Sequence, residues 1–123
     1  MKRLVLILAL ALAACQPSPQ PTLNTAGAQK MVLEAEVAYE ALLTLAVAYN
    51  KRPRCTEPRT VITCSDPSTV ARLRVINAKI TESFSAAMNI ASTPGVAESA
   101  VVAAIAVATQ GIPVLRSILD SAK

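Results

Sequence analysis

The stretch KRPRCTEPRTVITCSDP, residues 51–67, decides the fold. Pro53 ends any helix that precedes it, because the residue before a proline avoids helical geometry. Asp66 and Pro67 begin another helix, since aspartate is a favoured N-cap and proline is favoured at the first helical position. We call residues 51–67 the knuckle, and we expect this polar segment to be the loop between two helices.

The segments on both sides of the knuckle have the apolar period of packed helices. Upstream, from about Ala28 to Asn50, a predicted buried stripe recurs every three or four residues. Its members are Met31, Ala35, Ala38, Leu42, Leu45 and Tyr49. The stripe predicted for the second helix consists of Leu73, Ile76, Ile80, Phe84, Ala87 and Ala91. Asn77 falls at the edge of that stripe, where we expect a hydrogen-bonded polar side chain.

A third helix is predicted from about Val96, after the break Ser92-Thr93-Pro94-Gly95, with Thr93 as its cap. Gly111 and Pro113 should kink or split this helix, because an interior proline removes a hydrogen bond and clashes with the preceding turn. The sequence therefore predicts an all-α fold: a three-helix bundle, up-down-up, over residues 28–123.

Ser99 to Leu115 is a run of seventeen residues without a charge. That length reaches the lower end of the range for a membrane-spanning helix. Thr109, Gln110, Gly111 and Pro113 dilute the run, so we interpret it as a buried bundle helix, with a membrane span as the alternative.

The N-terminus has the pattern of an export signal. Lys2 and Arg3 precede the apolar run Leu4 to Ala14, which is too short to span a bilayer. Leu12-Ala13-Ala14-Cys15 resembles the lipobox of bacterial lipoproteins. The resemblance implies that residues 1–14 are a signal peptide and that Cys15 becomes the acylated first residue, for example with palmitate. Ordinary secretory cleavage is the alternative, because Ala11-Leu12-Ala13 satisfies the small-x-small rule.

Residues 15–27 are predicted to be the lipidated cysteine and a proline-rich tether. Pro17, Pro19 and Pro21 lie among polar residues, which favours an extended spacer. Gln16 follows the cysteine where an aspartate would be the usual retention signal for the inner membrane. By resemblance this implies the periplasmic face of the outer membrane, with the inner membrane or the cell surface as alternatives.

The cysteine count agrees with export. The chain has three cysteines, so lipidation of Cys15 leaves Cys55 and Cys64 as a pair. In an oxidising compartment, two cysteines on either side of a loop predict a disulfide. A metal site is the poorer alternative, because the chain has no histidine and two thiolates do not complete a zinc shell.

The composition argues against several classes of function. Half of the net charge of +4 comes from Lys2 and Arg3, so little positive charge remains to bind nucleic acid. We find no nucleophile motif, phosphate loop or cofactor fingerprint, and we predict no catalytic residue, cofactor or small-molecule substrate. Glu34, Glu36 and Glu40 are interpreted as a solvated helix face rather than an acid–base pair.

We therefore expect a membrane-tethered periplasmic lipoprotein, not an enzyme, with a structural or interaction role in the envelope. The order of lipobox, tether, long helix and cysteine loop is similar to small helical lipoproteins of proteobacteria and their prophages. The proline-rich tether also resembles the outer-membrane subunit of phage spanins, so a lysis factor is the first alternative. A small enzyme is the second alternative, against which the lack of histidine argues.

The knuckle is the candidate binding element, through Arg52, Arg54 and Arg59. It should lie at the far end of the first helix from the tether. Its partner would be anionic, either a cell-wall polymer, an opposite membrane face or an acidic patch on an envelope protein. The alternative interpretation is that these cations only stabilise the C-terminus of the first helix, by about 0.3–1 kcal/mol through the helix dipole.

Overall fold

The fold is all-α, as predicted, in a computed structural model that describes residues 19–56 and 63–122. The predicted signal peptide, Cys15 and part of the predicted tether fall outside these residues, as do Arg59 and the middle of the knuckle. Four helical segments follow one another along the chain: α1 (Thr25–Asn50), α2 (Pro67–Ala91), α3 (Glu98–Thr109) and α4 (Gly111–Ser121).

Helix α1 begins three residues before the predicted start at Ala28. The reason is the cap: the side chain of Asn24 accepts a hydrogen bond from the backbone N–H of Gly27 at 2.7 Å. Asparagine is among the best N-cap residues, because its short side chain satisfies one of the unpaired N–H groups of the first turn. The helix ends at Asn50, as predicted from Pro53.

The predicted stripe of α1 is wrong at two positions. Ala38 and Leu45 are exposed, Leu45 to 57%, while their neighbours Tyr39 and Ala46 are buried. The ring of Tyr39 stacks on Phe84 of α2, with ring centroids 5.9 Å apart. Because an aromatic ring has a large apolar surface to bury, helix α1 is rotated so that Tyr39 faces the core.

Helix α2 follows the prediction closely. Asp66 is its N-cap and Pro67 its first residue. Five of the six residues in the predicted stripe are buried, and Ile76 is partly buried against them. Asn77 is hydrogen-bonded, as expected for an edge position, since its side-chain oxygen accepts from the hydroxyl of Tyr39.

Helices α3 and α4 together form the third member of the bundle, which is split as predicted but at Gln110. Gln110 keeps right-handed helical backbone angles (φ −58°, ψ −30°), so α4 continues in nearly the same direction as α3. Pro113 lies in the first turn of α4, where backbone N–H groups have no partner within the helix, so the missing N–H of proline removes no helical hydrogen bond of α4.

The predicted cap at Thr93 is wrong. Helix α3 begins at Glu98 with Ala97 at the N-cap position, and no side chain caps it. Thr93 instead closes the preceding turn, where its carbonyl accepts from the N–H of Val96 at 3.3 Å. Gly95 in this turn has a φ of +67°, a left-handed conformation that glycine adopts without a steric cost.

The three members bury a common core. Helices α3 and α4 both pack against α1 and α2. The largest fully buried side chains come from all three members: Val32, Ile80, Phe84, Val101 and Leu115. Helices α3 and α4 together span 24 residues, Glu98–Ser121, and are long and apolar enough to cross a membrane by length and composition. In this structure one face of this pair of helices, which we call the third rod, packs against α1 and α2.

The described end of the tether is not a free spacer. The N–H of Leu23 donates to the carbonyl of Val96 at 3.0 Å, and the N–H of Glu98 donates to the carbonyl of Pro21 at 3.0 Å. These two bonds hold the chain before α1 against the start of α3. The second bond also gives the N–H of Glu98, in the uncapped first turn of α3, a partner that it would otherwise lack.

Candidate functional site

The knuckle joins α1 to α2 through a disulfide and a short backbone pairing. Cys55 and Cys64 form the predicted disulfide, with their Cα atoms 4.9 Å apart. Beside it, the N–H of Ser65 donates to the carbonyl of Pro53 at 2.8 Å, and the N–H of Cys55 donates to the carbonyl of Ser65 at 3.1 Å. The two ends of the knuckle are therefore held side by side.

Ser65 is the buried polar residue of the described chain, with no exposed surface. Its hydroxyl donates to the carbonyl of Arg52 at 3.1 Å. Arg52 lies just beyond the end of α1, where backbone carbonyls lack a partner within the helix. Sequence reasoning missed this role, because a serine between a cysteine and a helix cap has no pattern that distinguishes it from an exposed one.

Tyr49 and Asp66 link the two helices directly. The N–H of Asp66 donates to the hydroxyl oxygen of Tyr49 at 2.9 Å. The carboxylate of Asp66 accepts from the hydroxyl of Ser68 and from the N–H of Thr69, and these bonds hold its pKa below the ordinary value. The same residue thus caps α2 and contacts the last turn of α1.

The candidate binding cations are not equivalent. The guanidinium carbon of Arg52 lies 5.2 Å from the centroid of the Tyr49 ring, a cation–π distance, and the residue is half-buried. Arg54 and Lys51 are exposed. Arg59 lies outside the described residues. Arg52 therefore has a structural contact, whereas Arg54 presents its charge to solvent.

A shallow groove of about 130 Å³ lies between α1 and α2 near the knuckle, lined by Val47, Val70 and Arg74 among others. Pockets that enclose small molecules are usually about 300–1,000 Å³, so this groove is too small to hold one. Across residues 19–56 and 63–122, no three His, Cys, Asp or Glu side chains come close enough to share a metal ion.

The acidic residues of α1 do not converge on a reactive centre. Glu34 pairs with Lys30 at 3.7 Å, one helical turn away, and both side chains are mostly exposed. An exposed pair of this kind contributes about 0.3–0.5 kcal/mol. The arrangement is that of a solvated helix surface.

No protein-family model, curated protein or solved structure matches this chain.

Proposed function

We propose that this chain is a membrane-anchored lipoprotein, lipidated at Cys15, whose helical bundle has a structural or interaction role in the bacterial envelope. The observation that carries the proposal is the N-terminal pattern: Lys2 and Arg3, an apolar run of eleven residues, and Leu12-Ala13-Ala14-Cys15. Chance seldom places a cysteine directly after the small residues of an export signal.

The disulfide supports export. Disulfides form and persist in oxidising compartments and are rare in the cytosol, so the Cys55–Cys64 bond agrees with a periplasmic bundle. Gln16 favours the outer membrane over the inner membrane as the site of anchoring. With a diacylglyceryl group and an added acyl chain, the protein would remain on that membrane, because several chains anchor stably where one does not.

We further propose that the knuckle is the interaction element and that its partner is anionic, either a cell-wall polymer or an acidic patch on another envelope protein. Lys51 and Arg54 are exposed there, and Arg59 adds a third cation from the sequence. The disulfide and the buried Ser65 hold the ends of this loop in one geometry, so a binding surface would lose less conformational freedom on association.

The variant Cys15→Ser tests the anchor in cells. Wild-type protein should be found in the membrane fraction and should enter the detergent phase on phase separation. The variant has no thiol to acylate, so it should leave the detergent phase or retain its signal peptide. If both proteins partition in the same way and both lose residues 1–14, Cys15 is not the anchor.

A further inference from the structure

The outward face of α3 and of the start of α4 has no charge, whereas the later turns of α4 expose Arg116 and Asp120. From Ser99 to Leu115 the chain has no Lys, Arg, Asp or Glu. Val102, Val107 and Val114 are 48%, 57% and 46% exposed. Only 22% of the most apolar 18-residue window in this rod is buried in the bundle.

The outward faces of the other two helices differ from it. On α1 the exposed Leu33 and Val37 lie among Lys30, Glu34 and Glu40, whereas its second half has no charge and exposes Leu45 (57%) and Val47 (44%). The exposed side of α2 carries Arg72, Arg74, Lys79 and Glu82. The charge-free run of α3 and α4, Ser99–Leu115, is longer than the charge-free run of α1, Ala41–Asn50.

The described N-terminal chain contacts this uncharged face at its Ser99 end. The hydroxyl of Ser99 donates to the side-chain oxygen of Gln20 at 3.1 Å. Ser99, Ala103, Ala106 and Gln110 recur every three or four residues, so they share one side of the rod and are all exposed. The buried residues Val101, Ala108 and Leu115 lie on the other side.

The distance from this face to the anchor is short. Four residues separate Cys15 from Gln20. Even when fully extended, that link spans at most about 18 Å. The uncharged face from Ser99 to Val114 is itself about 22 Å long, at 1.5 Å per residue. A lipid on Cys15 would therefore keep the Ser99 end of the face within about 18 Å of the bilayer surface.

We infer that the outward face of α3 and α4 lies on the lipid bilayer in which Cys15 is anchored. The inference rests on the proposed lipidation, and it names lipid as the occupant because the described N-terminal chain contacts this face at its Ser99 end. The bundle then lies along the membrane, and the knuckle lies beside the membrane at the end of α1 opposite the tether, instead of projecting away from it.

The test uses one exposed alanine on the outward side of each bundle member. Ala106→Cys reports on the uncharged face, and Ala41→Cys and Ala78→Cys are matched controls on α1 and α2. Each full-length lipidated variant is labelled with a fluorophore while the Cys55–Cys64 disulfide is intact. It is then placed in vesicles of phosphatidylcholine and phosphatidylglycerol. Quenching is measured with an aqueous quencher and with a nitroxide lipid.

The label at residue 106 should be quenched several-fold less by the aqueous quencher than the labels at 41 and 78, and several-fold more by the nitroxide lipid. Equal accessibility of the three labels to the aqueous quencher would overturn the inference. Protection at residue 106 without quenching by the lipid would also overturn it, and would indicate a second copy of the chain on this face.

Vesicle flotation and intact mass separate this inference from the proposed function. A protein that is acylated and floats, but whose residue 106 stays in water, keeps the lipoprotein proposal and removes the proposed membrane face. A protein without a lipid increment removes the lipoprotein proposal, whatever the labels report.

Discussion

At Gly111 the backbone of α4 lies close to the side chain of Ile80 on α2. A Cβ atom at this position would lie 2.4 Å from Cγ1 and 2.9 Å from Cδ1 of Ile80. Ile80 is 2% exposed, so an added methyl group would have to displace a packed side chain. Glycine therefore has a packing reason to stand at the start of α4, in addition to the break that it was predicted to cause.

We predict that Gly111→Ala destabilises the bundle by about 1–3 kcal/mol, the usual cost of overpacking a core. A decrease in the free energy of unfolding would be informative. Alanine is the better helix former by about 1 kcal/mol, so without the contact it would stabilise α4. Urea unfolding measures the change. Ser117→Ala, at an exposed position of the same helix, is the control and should be neutral or slightly stabilising. An equal effect of the two substitutions would mean that the contact with Ile80 has no cost.

Asp66 gives a prediction about pH. Its carboxylate accepts from Ser68 and Thr69, and its pKa lies below the ordinary value of 3.8. A group with a lowered pKa in the folded state contributes stability above its unfolded pKa and loses it as pH falls through the folded pKa. The free energy of unfolding should therefore decrease as the pH is lowered below about 4. Asp66→Asn keeps a good cap but cannot titrate, so the difference in stability between wild type and variant should shrink in acid. A difference that stays constant from pH 6 to pH 2 would contradict this role.

The residues of the core show what could be predicted from the sequence and what could not. Two stripes on α1 have the same spacing, one through Ala38 and Leu45 and one through Tyr39 and Ala46. The period alone does not choose between them. The choice depends on Phe84 and Asn77 of α2, which contact Tyr39 only once the two helices pack. The bonds of Ser65 and Tyr49 in the knuckle were missed for the same reason.

At the scale of elements, the disulfide restrains the hairpin of α1 and α2. We predict that the double variant Cys55→Ser/Cys64→Ser is less stable by about 2.7 kcal/mol, the chain-entropy value for a loop of about ten residues. The core of the hairpin does not involve the cysteines, so helicity should be unchanged. Circular dichroism and urea unfolding measure the two quantities. Wild type with reductant should match the variant, and a variant as stable as oxidised wild type would show that the disulfide does not restrain the unfolded chain.

The knuckle cations give a prediction about binding. Arg54→Ser/Arg59→Ser should weaken a salt-sensitive co-sedimentation of the protein with anionic cell-wall polymer and leave stability unchanged. Arg52 is kept in this variant, because its contact with Tyr49 ties it to the fold. Arg72→Ser/Arg74→Ser on α2 removes the same charge elsewhere and is the control. If neither double variant changes sedimentation at low salt, the knuckle cations do not bind the polymer and only stabilise the C-terminus of α1.

The ends of helices were predicted well where a capping side chain or a proline sets them. They were predicted poorly where only backbone hydrogen bonds set them. Asp66 and Pro67 mark the start of α2 correctly, and Pro53 correctly marks the end of α1. The start of α3 was placed too early because no side chain caps it. Its first N–H groups instead depend on Pro21 and on Ala97, and the contact with Pro21 is distant in sequence.

At the scale of the molecule, the proposed lipid anchor at Cys15 would be joined by a short link to a bundle whose third member has no charge from Ser99 to Leu115. The number of helices, their order and the disulfide follow from the sequence pattern. The binding of Pro21 and Leu23 to the start of α3 does not, because a proline-rich segment has no apolar period to predict where it packs. With a lipid on Cys15, this contact would shorten the link to the membrane and bring the anchor near the Ser99 end of the uncharged face.

The intact mass of protein extracted from membranes tests the central claim most directly. We predict a polypeptide that begins at Cys15 and carries the mass of a diacylglyceryl group, with or without an added acyl chain. The increment should remain after reduction, because the thioether on Cys15 is not a disulfide. An unmodified soluble polypeptide that begins at Ala14, or a full chain that keeps Met1 and carries no lipid, would contradict the account.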